Sequence, residues 1–140
     1  MINYGFTKEV KLPFEKAIEV VAEELKKEKF GILTKIDVKE KFKEKLGIDF
    51  KKYVILGTCN SPSAHKAILA EENIGLMLPC NVVVYEKEDK TVISIIKPIV
   101  AMEMIDNDEL KQIAENVEAK LKNVFDSIQS EGDRTTIKTK

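Results

Sequence analysis

The stretch 76-LMLPCNVVVY-85, its charged continuation 86-EKEDK-90 and the following 91-TVISIIK-97 decide the fold. The first run turns β-branched toward its end, the second is β-branched almost throughout, and a charged turn separates them. That pattern predicts a β-hairpin. Pro79 cannot donate to a ladder, so it marks a bulge, an edge or the true start of the strand. Pro98 ends the second strand. Val82, Val83 and Val84, with Val92, Ile93, Ile95 and Ile96, place apolar side chains on both faces of the sheet.

Moving upstream, 53-YVIL-56 is a short apolar run that reads as a buried strand and is broken by Gly57. Ser61-Pro62 then reads as an N-cap followed by Pro at the first helical position. The helix is expected from Ser63 to about Glu72, with Asn73 and Gly75 as its stop. Nearer the N-terminus, Ile2, Tyr4 and Phe6 alternate like a half-buried strand. Pro13 opens a helix whose apolar stripe is Phe14, Ile18, Val21 and Leu25, running to about Lys29. Phe30, Ile32, Ile36 and Val38 suggest a second strand. Asp37 and Glu40 have capping-box spacing for a short helix striped by Val38, Phe42 and Leu46 and ended by Gly47. Downstream, Asp106 and Glu109 repeat that spacing before the longest stripe of the chain: Leu110, Ile113, Val117, Leu121, Val124, Phe125 and Ile128. Residues 129–140 are polar and unpatterned, and a flexible tail is expected there.

The predicted order is β-α-β-(short α)-β-(short α)-β-β-α. It describes one α+β domain over 1–128, with a single mainly antiparallel sheet of about five strands and two long helices packed on one face. The other face then needs a cover, from a second subunit, the short helices or a ligand. A homodimer is the commonest solution.

Composition narrows the function classes. The 140 residues are 44% hydrophobic and 34% charged, with 23 Lys+Arg against 24 Asp+Glu and a net charge of -1. Such a balance gives no global field to gather nucleic acid, and none is expected as a partner. The Lys/Glu run 39–45 alternates in sign, as a solvated helix face does. No apolar stretch approaches the roughly 20 residues of a membrane span. With no charged head followed by an apolar run, a signal peptide is not expected either, and a cytoplasmic home follows. Two cysteines are normally reduced there.

Two stretches carry a resemblance. Residues 56–60 (LGTCN) followed by Ala64, and 75–84 (GLMLPCNVVV), look like the signature segments of the domain-of-unknown-function 302 family. The segment from Gly31 to Ile36-Asp37-Val38 and the Lys45-Leu46-Gly47 turn fit it as well. The similarity covers about 1–128, and Ser61 stands where the family often has a proline. The resemblance implies a single-layer antiparallel sheet with helices on one side, similar to the TATA-binding-protein-like fold, and a dimer. It implies no activity or cofactor, because the family is named for lacking an assigned one.

The chemically distinctive residues are Cys59 and Cys80. Cys59 closes a strand just before a helix start, where free N–H groups and the dipole favour a thiolate; the alternative is a small hydrophobe in a core. Cys80 lies in an apolar strand and reads as buried. If the two lie side by side, a bridge is geometrically possible, although their spacing is that of neither a zinc ribbon nor a CxxC motif. His65, the only histidine, falls on the first turn of the next helix, where a neutral imidazole could complete a three-ligand soft site with the two thiols or sit as an ordinary helix residue. Asn60 and Asn81 each follow a cysteine; their amides could orient a ligand or satisfy backbone groups. Thr58, Asn60, Ser61 and the helix N–H groups could cradle a small anion. With one histidine, no Ser-His-Asp or Cys-His-Asn arrangement can be drawn, and whether the chain is an enzyme stays open. Three readings follow: a homodimeric module binding a small ligand or metal near Cys59, Asn60, His65, Cys80 and Asn81; a thiol-based redox protein with Cys59 as nucleophile and Cys80 as resolving partner; and a protein-interaction module with structural cysteines.

Overall fold

Burial alternates along β4 (Cys80–Lys87): Cys80, Val82 and Val84 are buried, Asn81 is exposed, and Val83 and Tyr85 are half-buried. One face of the strand therefore meets the core and the other does not, as a half-covered antiparallel sheet requires. The computed structural model describes residues 2–129. Its other elements are β1 (Gly5–Val10), α1 (Phe14–Lys27), β2 (Gly31–Asp37), α2 (Val38–Leu46), β3 (Tyr53–Cys59), α3 (Ser61–Ala70), a 3₁₀ turn (Glu72–Met77), β5 (Lys90–Ile96), α4 (Pro98–Ala101) and α5 (Asp108–Ser127). The expected tail at 130–140 lies outside the described residues. The α+β class and the single five-stranded sheet are as expected, with every pairing antiparallel and the strand order β1-β5-β4-β3-β2.

The β4–β5 hairpin lies at the centre of this order, so its core face is covered along its length. Val82, Val84, Ile93 and Ile95 are completely buried, against Val21 and Leu25 of α1 and Leu121 and Val124 of α5. Each such side chain contributes roughly 1.5–3 kcal/mol by leaving water. A second, smaller core lies beyond the sheet, where Ala67 of α3, Ile74 of the 3₁₀ turn and Met102 meet Leu110 and Ala114 of α5. Leu78 and Ile113 touch both cores.

Several boundaries differ from expectation. Residues 76–77 belong to the 3₁₀ turn, and the strand begins at Cys80, directly after Pro79. Of the three roles open to Pro79, the start of the strand is the one it takes. Burial of Ile74 pulls the chain into a turn, which leaves Leu76 88% exposed despite the apolar run. Strand β1 starts at Gly5, so Ile2 and Tyr4 precede it, and Phe6 and Lys8 face the helices with Val10. There Lys8 Nζ donates to the carbonyls of Phe125 and Ile128 at 2.8 and 2.6 Å, at the end of α5 where a cation is favoured. The cap of α2 is Asp37, as read, with its carboxylate accepting from Glu40 N at 3.0 Å. The other two caps shift by one residue. Asn60 rather than Ser61 caps α3, and Asn107 rather than Asp106 caps α5. An Asn can accept from the helix and donate elsewhere with the same amide, which an acid or a serine does less well. The short α4 was not anticipated.

The strand edge is less protected. Every residue of β2 is exposed, and α2 has no buried residue. On the sheet face away from the helices, Tyr53 and Tyr85 pair directly across strands and stack at 5.2 Å with 10° between the rings. Phe50 continues this row toward Phe42 of α2. No helix is long and apolar enough to cross a membrane among the described residues.

Gly57 holds a close approach. A Cβ there would lie 2.7 Å from Pro79 Cγ and would also strike Thr34 Oγ1. Gly57→Ala is expected to cost about 1–3 kcal/mol through this overpacking, read as a lower urea midpoint with an unchanged slope.

Candidate functional site

A cavity of about 320 Å³ opens at the seam between the two cores. Its position follows from side-chain size. The buried stripe of α5 reads Leu110, Ala114, Val117, Leu121, Val124, and the small member, Ala114, falls where the helix passes from one core to the other. Across the seam α3 presents Ser63, Ala64 and Ala67. Larger side chains at these positions would fill the gap to the density usual in protein interiors.

Both cysteines line this cavity. Thr58 is the cross-strand partner of Cys80, so Cys59 is displaced by one residue in the register. Both thiols are free, with Cys80 buried and Cys59 partly so. Burial pushes the Cys80 thiol up to about 11, and the neighbouring Cys59 adds to the rise. At neutral pH Cys80 is therefore a neutral wall group and a poor nucleophile.

Asn60 also lines the cavity, but its amide is engaged. Oδ1 accepts from Ser63 N at 3.2 Å, while Nδ2 donates to the carbonyls of Glu28 and Lys29 at 3.3 and 3.4 Å. It ties the start of α3 to the turn between α1 and β2. Thr58 is completely buried and donates from Oγ1 to the Cys80 carbonyl at 2.7 Å. These bonds use the Thr58 and Asn60 groups of the expected anion cradle, and Ser61, its third side chain, does not line the cavity. Pro62 has no N–H, and the Ser63 N–H is taken by Asn60.

The remaining two nominated residues stand apart. His65 is exposed on α3 and Asn81 is exposed on β4, and neither lines the cavity. The three-ligand set of Cys59, His65 and Cys80 is thus not assembled. Among the described residues no group of three or more His, Cys, Asp or Glu is placed to hold a metal ion.

Sequence reasoning missed the apolar part of the site: Leu78, Met102, Ile113 and Ala114, with Ala64 and Ala67. The available signal was the small residue interrupting a stripe of large ones at position 114, and two alanines three apart on a short helix. Asn107 was missed too. It caps α5 by accepting from Leu110 N at 2.9 Å, and it donates to the Ala70 carbonyl at 2.9 Å and to Glu71 Oε1 at 3.0 Å. One amide so fixes α3 to α5 along one border of the seam.

The comparisons agree on a family and on nothing finer. The family model described as "Domain of unknown function DUF302" matches residues 6–128. A crystal structure of an uncharacterized conserved DUF302 protein from Bacillus stearothermophilus is similar at 35% sequence identity, with a TM-score of 0.82. The match covers 89% of this chain and 98% of that one. No curated protein matches the chain.

The raised Cys80 value has a consequence for stability. In the unfolded chain the thiol loses its proton near its ordinary value of 9, whereas in the native state it holds the proton to about 11. The native state binds more protons between these values, so stability is fully present below pH 9 and falls as pH rises. The expected loss is about 2–3 kcal/mol across that window. Urea unfolding at several pH values is expected to show a shallower decline for Cys80→Val than for the wild type. Equal declines would assign the effect to other groups.

Proposed function

For a chain that belongs to the DUF302 family, we propose a role as a binding module for a small ligand, seated in the cavity between the sheet end, α3 and α5. The observation that carries this reading is the cavity itself. It is at the lower end of the size range of small-molecule sites and is predominantly apolar with a few polar groups, as such sites are. It also brings together the two residues that stood out in the sequence, Cys59 and Cys80. A metal-binding version has no comparable support, since His65 stands apart from the two thiols.

The thiol-based redox reading rests on the same shared wall. Its weak point is Cys80, whose burial keeps it protonated at neutral pH. Small-ligand binding needs no such reactivity.

Indole is a suitable small probe of the cavity. Titration of isotopically labelled protein with indole is expected to shift the amide resonances of Ala64, Cys80 and Ala114 together and saturably. Shifts confined to surface residues, or none, would remove the support for a binding site.

We further propose that a second copy of the chain covers the open sheet face. That face presents the stacked Tyr53 and Tyr85 beside Val83, with Ile2 and Tyr4 at its border. Ile36 and Phe50 remain partly exposed nearby. A patch of rings and aliphatic side chains with Thr7, Glu9, Lys87 and Ser94 around it favours association, and two-fold pairing is the commonest form. Val83→Lys is expected to convert a sedimenting dimer into a monomer while keeping the far-ultraviolet circular dichroism. A wild-type chain that sediments as a monomer would end this proposal.

A further inference from the structure

Resting on the reading of the cavity as a binding site, we propose that its ligand is an uncharged, largely apolar small molecule carrying at most one hydroxyl-type group. The wall supports this class directly. Among the described residues no lysine, arginine, histidine, aspartate or glutamate lines the cavity. An ionic ligand entering it would give up hydration without meeting a counter-charge, which is strongly unfavourable.

Backbone donors do not compensate. The start of α3 is the place where an anion would ordinarily be received. Here Pro62 removes one donor, and Asn60 Oδ1 occupies the Ser63 N–H at 3.2 Å. The Thr58 hydroxyl is committed to the Cys80 carbonyl, and the Asn60 amide nitrogen to Glu28 and Lys29. What remains polar on the wall is the Ser63 hydroxyl and the two thiols, enough for one neutral hydrogen-bonding group. Cys80 stays uncharged at neutral pH because of its burial.

Volume bounds the size of the guest. The 320 Å³ lies at the lower limit of small-molecule sites, which span about 300–1,000 Å³. A bicyclic aromatic or a medium aliphatic chain meets that limit. Exposed Leu33 and Ile68 are also among the lining residues, so the wall is apolar where it meets solvent as well as inside.

Three probes of nearly one shape separate charge from fit: 1-naphthylmethanol, 1-naphthoate and 1-naphthylmethylammonium, titrated calorimetrically at pH 7. The alcohol is expected to bind, and each ion to bind at least about 100-fold more weakly. Ala64→Phe, and separately Ala67→Leu, should each abolish or greatly weaken binding of the alcohol, with circular dichroism and the urea midpoint reporting that the fold is kept. Either ion binding as well as the alcohol overturns the assignment of ligand class and leaves the cavity as a binding site. No binding of any probe by the wild type overturns both readings. Alcohol binding unchanged in both folded variants places the site elsewhere and also overturns both. Alcohol binding that vanishes as protein concentration rises assigns the cavity to a second copy of the chain and overturns the small-molecule proposal.

Discussion

A single rigid helix has to close two cores. The buried positions of α5 repeat at intervals of four and three from Leu110 to Val124, so they lie on one face. The first of them meets α3, the 3₁₀ turn and Met102, and the last two meet the sheet and α1. The helix cannot bend to follow both surfaces without a break in its hydrogen bonds, and none of the usual causes of a kink, such as Pro or Gly, occurs within it. The two cores therefore meet along a seam, bridged by Leu78 and Ile113. Where the seam passes Ala114 and the alanines of α3, there is too little side chain to fill it. The cavity is a product of this geometry rather than of any one motif.

Polar groups at the seam hold its borders in place. Thr58 fixes the end of β3 to the first residue of β4, Asn60 fixes the start of α3 to the end of α1, and Asn107 fixes the end of α3 to the start of α5. Thr58 and Asn60 are buried and Asn107 is partly so, and polar groups withdrawn from water are costly to leave unpaired, so their capacity is used locally. Thr58 and Asn60 look, in sequence, like groups available to a ligand. Their commitment to the backbone makes the cavity both well supported and electrically quiet.

The open sheet face has a different character. Its aromatic row from Phe42 through Phe50 and Tyr53 to Tyr85 lies beside an edge strand that is exposed along its whole length. Lys51 lies over the Tyr85 ring at 4.8 Å, partly shielding it. A surface of large rings set among polar and charged side chains suits association with another protein surface better than retention of a small molecule. The two sides of the sheet thus divide the roles proposed for the chain.

Much of this arrangement was legible from residue order. The β-branched hairpin, the stripe of α5, the Asp37 cap and the glycine and proline stops are local signals, because periodicity and backbone restriction act over a few residues. The family resemblance rested on equally local strings around Cys59 and Cys80, and the model match over 6–128 agrees with it. Positions that depended on distant partners were misplaced. Leu76 and Met77 looked like strand until Ile74 found its core, and Ser61 looked like a cap until Asn60 met Glu28 and Lys29. The grouping of Cys59 with Cys80, and the separation of His65 and Asn81 from both, arises from the antiparallel register of β3 and β4 and from the place of His65 on the exposed side of α3. Sequence by itself determined the five strands, the two long helices, two of the short ones and their order, and the two cysteines. Only the tertiary structure decided that these cysteines border an apolar cavity, because its volume arises from small side chains far apart in the chain that are brought together where two cores meet.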